Sequence, residues 1–180
     1  MIIITDKSIN NVPRTKSDII SEQYWEHLYI EHIALLKLVQ DKQLGTECAR
    51  VFDLNMKKIG SDFIGEPGEN RVVVTNFDTP HVIIHNHADG STISLVDVNS
   101  FLRRPQTFSI HAVSNGGSVY TLEKLYNYNA VEAIRKYICT IDRVTEQLND
   151  RGEQALIERI IEDFLVSLNA NGFLYRRWEK

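Results

Sequence analysis

The chain has 180 residues, 43% of them hydrophobic, which is enough for one compact domain spanning 1–180 and too little for two separate ones. A formal net charge of -4 leaves no overall positive field to hold a phosphate backbone, so a nucleic-acid partner is not expected. Cys48 and Cys139 are the only cysteines, too few for a disulfide scaffold or a CxxC metal site, and a reducing, cytoplasmic setting is expected.

In chain order, MIIITDKSINN holds three consecutive isoleucines before Thr5 and Asp6. That falls far short of the roughly 20 apolar residues of a membrane span, and no later stretch comes closer, so no membrane partner is expected. Within 14–43, the residues Ile20, Trp25, Leu28, Tyr29, Ile33, Leu36 and Val39 recur at three-to-four spacing, which predicts an amphipathic helix with Ser17 or Ser21 as its cap. From Glu47 the pattern changes. ECARVFDLN and MKKIGSDFIG read as two short strands about a turn at Asn55, followed by a GEPGEN loop. NRVVVTNF and HVIIHN read as further strands, the second a central one because its β-branched run lacks polar alternation.

After that run, ADGST is turn chemistry, and Ser94 opens a short helix that Pro105 stops. TFSIHAVS, NGG and SVYTLEK predict a hairpin. The 128–180 extension then carries amphipathic helices over 129–149 and 153–169, with Asn171-Gly172 as terminator and FLYRRW as a last strand. The expected class is α+β, a mixed β-sheet flanked by helices.

The chemistry concentrates in HVIIHNHADGSTISLVD. Strand residues two apart share a face, so His85 and His87 can converge on one ion while Asn86 points away, and Asp97 follows one turn into the next helix. Two imidazoles and a carboxylate suit a zinc site with an open position. A second reading stands beside it: Ser94 and Asp97 are spaced as a capping box, which accounts for the acid without a metal.

The same residues resemble the signature of the JAMM (MPN+/JAB) zinc metalloproteases, in which H-x-H is followed by S-x-x-D. The H-N-H form is similar to that of RadC-type and phage or mobile-element JAB-like proteins. The resemblance covers 47–124 as the catalytic core and implies the JAB/MPN (cytidine-deaminase-like) sheet. By position it implies His85, His87 and Asp97 as Zn2+ ligands, Ser94 as a holder of the scissile carbonyl or its oxyanion, and Glu47 as general base, with Glu66 and Glu69 as competitors for that last role. It further implies hydrolysis of a peptide or isopeptide bond, on a protein or peptide substrate, by a zinc-activated water. The sequence departs from the family in having six residues rather than seven between His87 and Ser94, and in having Ala88 and Asp89 where Pro and Ser are usual.

Two other site chemistries fit less well. A PHP-type phosphoesterase also uses H-x-H but needs several further downstream ligands, and His111 is the one histidine after Asp97. A mononuclear iron centre takes two histidines and a carboxylate as well. The rival of a different class is a non-catalytic JAB-like interaction or structural module, and the orientation of Glu47 relative to the histidines discriminates the two. His81 and His111 are expected to be structural or exposed, His27 and His32 to lie on the helix surface, and Arg103-Arg104 and Arg176-Arg177 to be solvated. GEPGEN lacks the lysine and hydroxyl of a phosphate loop.

Overall fold

The run HVIIHNH forms strand β3 (His81–His87), and all seven of its residues are buried. Such a strand needs a covering layer on each face. In the computed structural model, which describes residues 1–42, 44–149 and 154–180, it has both. Ile83 packs with Val98, Phe101, Phe164 and Leu165 on one side, whereas Val82 and Ile84 pack with Leu28, Leu35, Leu36 and Val39 on the other.

The elements run α1 (Asp6–Asn10), α2 (Trp25–Gln40), β1 (Cys48–Asp53), β2 (Phe63–Ile64), β3, α3 (Leu95–Arg103), β4 (Thr107–Ser114), β5 (Val119–Lys124), α4 (Ala130–Asn149), α5 (Gln154–Ser167) and β6 (Phe173–Trp178). The six strands form one mixed sheet in the order β2-β1-β3-β4-β5-β6. Among the described residues only β3 and β4 run parallel, joined through α3, and every other pair is antiparallel. The chain is therefore α+β, a mixed sheet flanked by helices, as expected. Helix α2 covers one face and α3, α4 and α5 the other. No helix among the described residues is long and apolar enough to cross a membrane.

Several elements differ from the sequence expectation. The N-terminal helix is shorter than 14–43, and neither Ser17 nor Ser21 caps it. Ser17 instead accepts from the amides of Ile19 and Ile20 and donates to the buried Glu123 of β5, which holds this stretch out of the helix. Ser21 precedes a 3-10 turn without a side-chain capping bond. Residue 43 and the expected helix start at Glu153 lie outside the described residues. Helix α1, which no apolar period announces, is closed by a capping box between Thr5 and Ser8.

MKKIGSDFIG gives a bridge between Phe52 and Lys58 and a strand of only two residues. NRVVVTNF is not a strand at all. Its β-branched residues join no ladder: β2 takes the outer side of β1, β1 and β4 take both sides of β3, and the segment does not pair with the edge strands β2 and β6. The hairpin over β4 and β5 and the last strand β6 form as expected, and Gly172 leaves the preceding 3-10 turn in the left-handed region at φ 77.

His32 is not a surface residue. It lies on the buried stripe Leu28, His32, Leu35, Leu36, Val39 of α2, and its Nε2 is 3.0 Å from Nδ1 of the equally buried His111 on β4. His32 Nδ1 and His111 Nε2 find no partner among the described residues. Burial pulls His32 down from 6.5 to about 3 and holds His111 well below 6.5. Unfolded, both take up a proton as the pH falls through 6.5; folded, they refuse it until far lower. Their contribution to stability is therefore whole above 6.5 and lost progressively below it, by about 1.4 kcal/mol per pH unit for each histidine. Urea unfolding at pH 7 and pH 5 should show this loss, and a His32→Leu, His111→Leu variant should flatten it. An unchanged slope in the variant contradicts the assignment.

Candidate metal site

The paired register Ala49↔His85 between β1 and β3 sets the geometry. Glu47 stands one residue before β1 and shares the parity of Ala49, so it faces the same side of the sheet as His85 and His87. Its backbone is held from two directions. Asn86, on the opposite face, accepts from the Cys48 amide at 2.7 Å and donates to the Thr46 carbonyl at 3.4 Å, spanning Glu47. From the edge, Gly65 donates its amide to the Glu47 carbonyl at 2.8 Å. A Cβ on Gly65 would stand 2.1 Å from the Arg71 carbonyl oxygen, so only glycine fits this close approach.

Beyond β3, an Asp89-Gly90 turn returns the chain to α3. Ser94 caps α3 in a full capping box: its Oγ accepts from the Asp97 amide at 3.1 Å, and the Asp97 carboxylate accepts from the Ser94 amide at 3.0 Å and from the Ser94 hydroxyl at 2.6 Å. The box also aims the acid. Asp97 Oδ2 lies 3.1 Å from His87 Nε2, and Oδ1 lies 3.5 Å from His85 Nε2. The two Nε2 atoms are 2.9 Å apart.

His85, His87 and Asp97 thus present one ligand atom each, all within 4.8 Å of one another, and can hold a metal ion. Ring nitrogens bound about 2.0–2.1 Å from a tetrahedral ion stand about 3.3 Å apart, so the observed spacing needs only a few tenths of an ångström of adjustment. His87 Nδ1 lies 3.2 Å from the Ser91 carbonyl oxygen. Donating there leaves Nε2 with the lone pair that an ion needs. Ser91 had no signal in the sequence beyond its place in the turn.

Burial acts on each group, and the neighbours decide the outcome. It pulls His87 down, but the hydrogen bond and charge of Asp97 outweigh it and raise this imidazole to about 9. It pushes Asp97 up, but His85 and His87 hold the carboxyl well below its usual range. For Glu47 burial prevails over the nearby His87 and His85, and its carboxyl is raised.

The cluster lines a cavity of about 640 Å³ together with Glu47, Val72, Val74, Ile83 and Arg104, a size suited to a small ligand or a side chain. Arg104 is not a solvated residue: it donates to the Val74 carbonyl at 2.8 Å, which ties the irregular 71–77 segment over the cavity. Lys124, buried in β5, donates to the Phe101 and Arg104 carbonyls and so closes the C-terminal end of α3. Glu69 reaches the cavity wall and Glu66 does not. His81 is satisfied by Thr79 and Thr107, and His27 is a surface residue 3.4 Å from Glu31.

No protein-family model, curated protein or solved structure matches the chain. The resemblance to the JAMM proteins therefore stands on the motif residues alone.

Two outcomes follow from this geometry. Elemental analysis after exposure to zinc and removal of excess should give one ion per chain, abolished by His85→Ala, His87→Ala; affinity should fall as the pH is lowered from 9, because ion and proton compete for His87. Ser94→Ala should cost about 1 kcal/mol in urea unfolding through loss of the cap, and should weaken ion binding by releasing Asp97. Ion binding indifferent to these substitutions contradicts the site.

Proposed function

We propose that the chain is a JAMM-like zinc metallopeptidase that hydrolyses a peptide or isopeptide bond. The observation that carries this reading is the buried Glu47 on the same sheet face as the converged His85, His87 and Asp97, at one open cavity. A metal-holding scaffold needs no acid there.

Zinc held by these three residues would supply Lewis acidity toward a water molecule and toward the scissile carbonyl oxygen. Glu47 acts as general base, accepting a proton from the attacking water and returning it to the leaving amine nitrogen. Its raised carboxyl suits this exchange, since a base poised nearer neutrality gives the proton back more readily. Asp97 holds its negative charge throughout, as its lowered carboxyl requires. Ser94 donates to Asp97 at rest, so its contact with a developing oxyanion requires the hydroxyl to turn from that carboxylate toward the cavity. Val72 and Val74 offer an apolar wall for a substrate side chain, and Arg104 secures that wall.

Glu47→Gln should keep the ion and lose at least about a hundredfold in peptide hydrolysis by the zinc-loaded protein. The assay uses a mixed peptide pool and linked ubiquitin-like substrates, with cleavage read by mass spectrometry. A zinc-loaded wild type that cleaves none of them, or a Glu47→Gln variant as active as wild type, contradicts the proposal.

A further inference from the structure

Helix α4 carries more apolar surface than the body covers. Its buried residues are Ala133 and Thr140, with Tyr137, Val144 and Gln147 half-buried on the same side. A second row, Val131, Ile134, Ile138, Ile141, Thr145 and Leu148, alternates steps of three and four residues, the a and d repeat of a coiled-coil seam. At 3.6 residues per turn this row lies about 110° around the helix from the buried one. Val131 is 73% exposed, Ile134 40%, Ile138 55% and Leu148 62%. The amphipathic pattern of α4 therefore serves the core with one half of its apolar arc and leaves most of the other half in water, Ile141 alone in that row being half-buried.

We infer that this row is a self-association surface, through which two copies of the chain pair their α4 helices antiparallel. The row is its own complement in that direction. Antiparallel pairing sets Ile138 against Ile141 of the second copy, Ile134 against Thr145 and Val131 against Leu148. On the solvent-facing flank, Arg135 follows Ile134 and Asp142 follows Ile141. The same register brings Arg135 of each copy to Asp142 of the other, two opposite-charge pairs related by the two-fold axis. Arg135 is 3.4 Å from Glu132 of its own helix, and the second copy's Asp142 offers it a further acid.

A parallel register offers no such match, because Tyr137 and Val144 would then flank Asp142 and Asn149. The body also favours the antiparallel direction. Fully buried residues of α4 end at Thr140, so the body sits at the N-terminal part of the helix. Antiparallel copies place their bodies at opposite ends of the seam, whereas parallel copies would bring them together. The seam runs about 26 Å, and α4 is already held by α3 and α5, so pairing incurs no helix-nucleation cost.

Sedimentation equilibrium of the full chain tests this. The wild type should form a concentration-dependent dimer, and Ile138→Glu, at an exposed position of the row, should be monomeric with an unchanged helical circular-dichroism signal. Arg135→Asp should raise the dimer dissociation constant about tenfold by facing acid with acid, and adding Asp142→Arg should restore it. The inference is overturned by a wild type that stays monomeric at its highest soluble concentration, in which case the row covers another protein. It is equally overturned by a dimer indifferent to Ile138→Glu or by a double charge reversal that fails to restore pairing.

Discussion

Everything at the candidate site depends on the burial of β3 on both faces. With a side-chain period of two, a slip of one residue against β1 would send His85 and His87 to the α2 face and Asn86 to the α3 face. Such a slip is opposed on every position, since Val82 and Ile84 fill the α2 layer, Ile83 fills the other, and Asn86 is bonded to Thr46, Cys48 and Asn115. The register that packs the core is therefore the register that brings the two imidazoles together. It also fixes Glu47, because Asn86 grips the backbone on either side of it from the opposite face.

The two sequence readings of Asp97, metal ligand and member of a capping box, are not alternatives in the folded chain. A carboxylate has two oxygens and several lone pairs. Asp97 Oδ2 answers the Ser94 amide and hydroxyl while facing His87, and Oδ1 faces His85. The cap is what holds the acid at a fixed distance from the strand end. Positive partial charge at the start of α3 also favours the ionised form of this carboxylate.

Legibility in the sequence followed the range of the interaction. The β3–turn–α3 unit was readable because strand parity, turn chemistry and a cap all act within a few residues, and the same holds for the β4–β5 hairpin. NRVVVTNF misled because β-branched composition reports fitness for a ladder and not whether the segment joins one. The start of α2 was unreadable because Glu123, more than a hundred residues away, claims Ser17. His32 was misplaced although its position fits the stripe of Leu28, Leu35, Leu36 and Val39. The partner that makes its burial tolerable, His111, is itself distant in sequence. In α4 the amphipathic period was plain, but which half of the apolar arc meets the body appears only in the fold.

Together β3 and α3 aim two imidazoles and one carboxylate at a point where a single ion can sit. Anomalous diffraction at the zinc edge from crystals of the zinc-loaded protein tests this most directly. One strong peak is expected within bonding distance of His85 Nε2, His87 Nε2 and a carboxylate oxygen of Asp97, facing Glu47 across the cavity. A peak elsewhere on the chain, or none in crystals of a correctly folded protein, would contradict it.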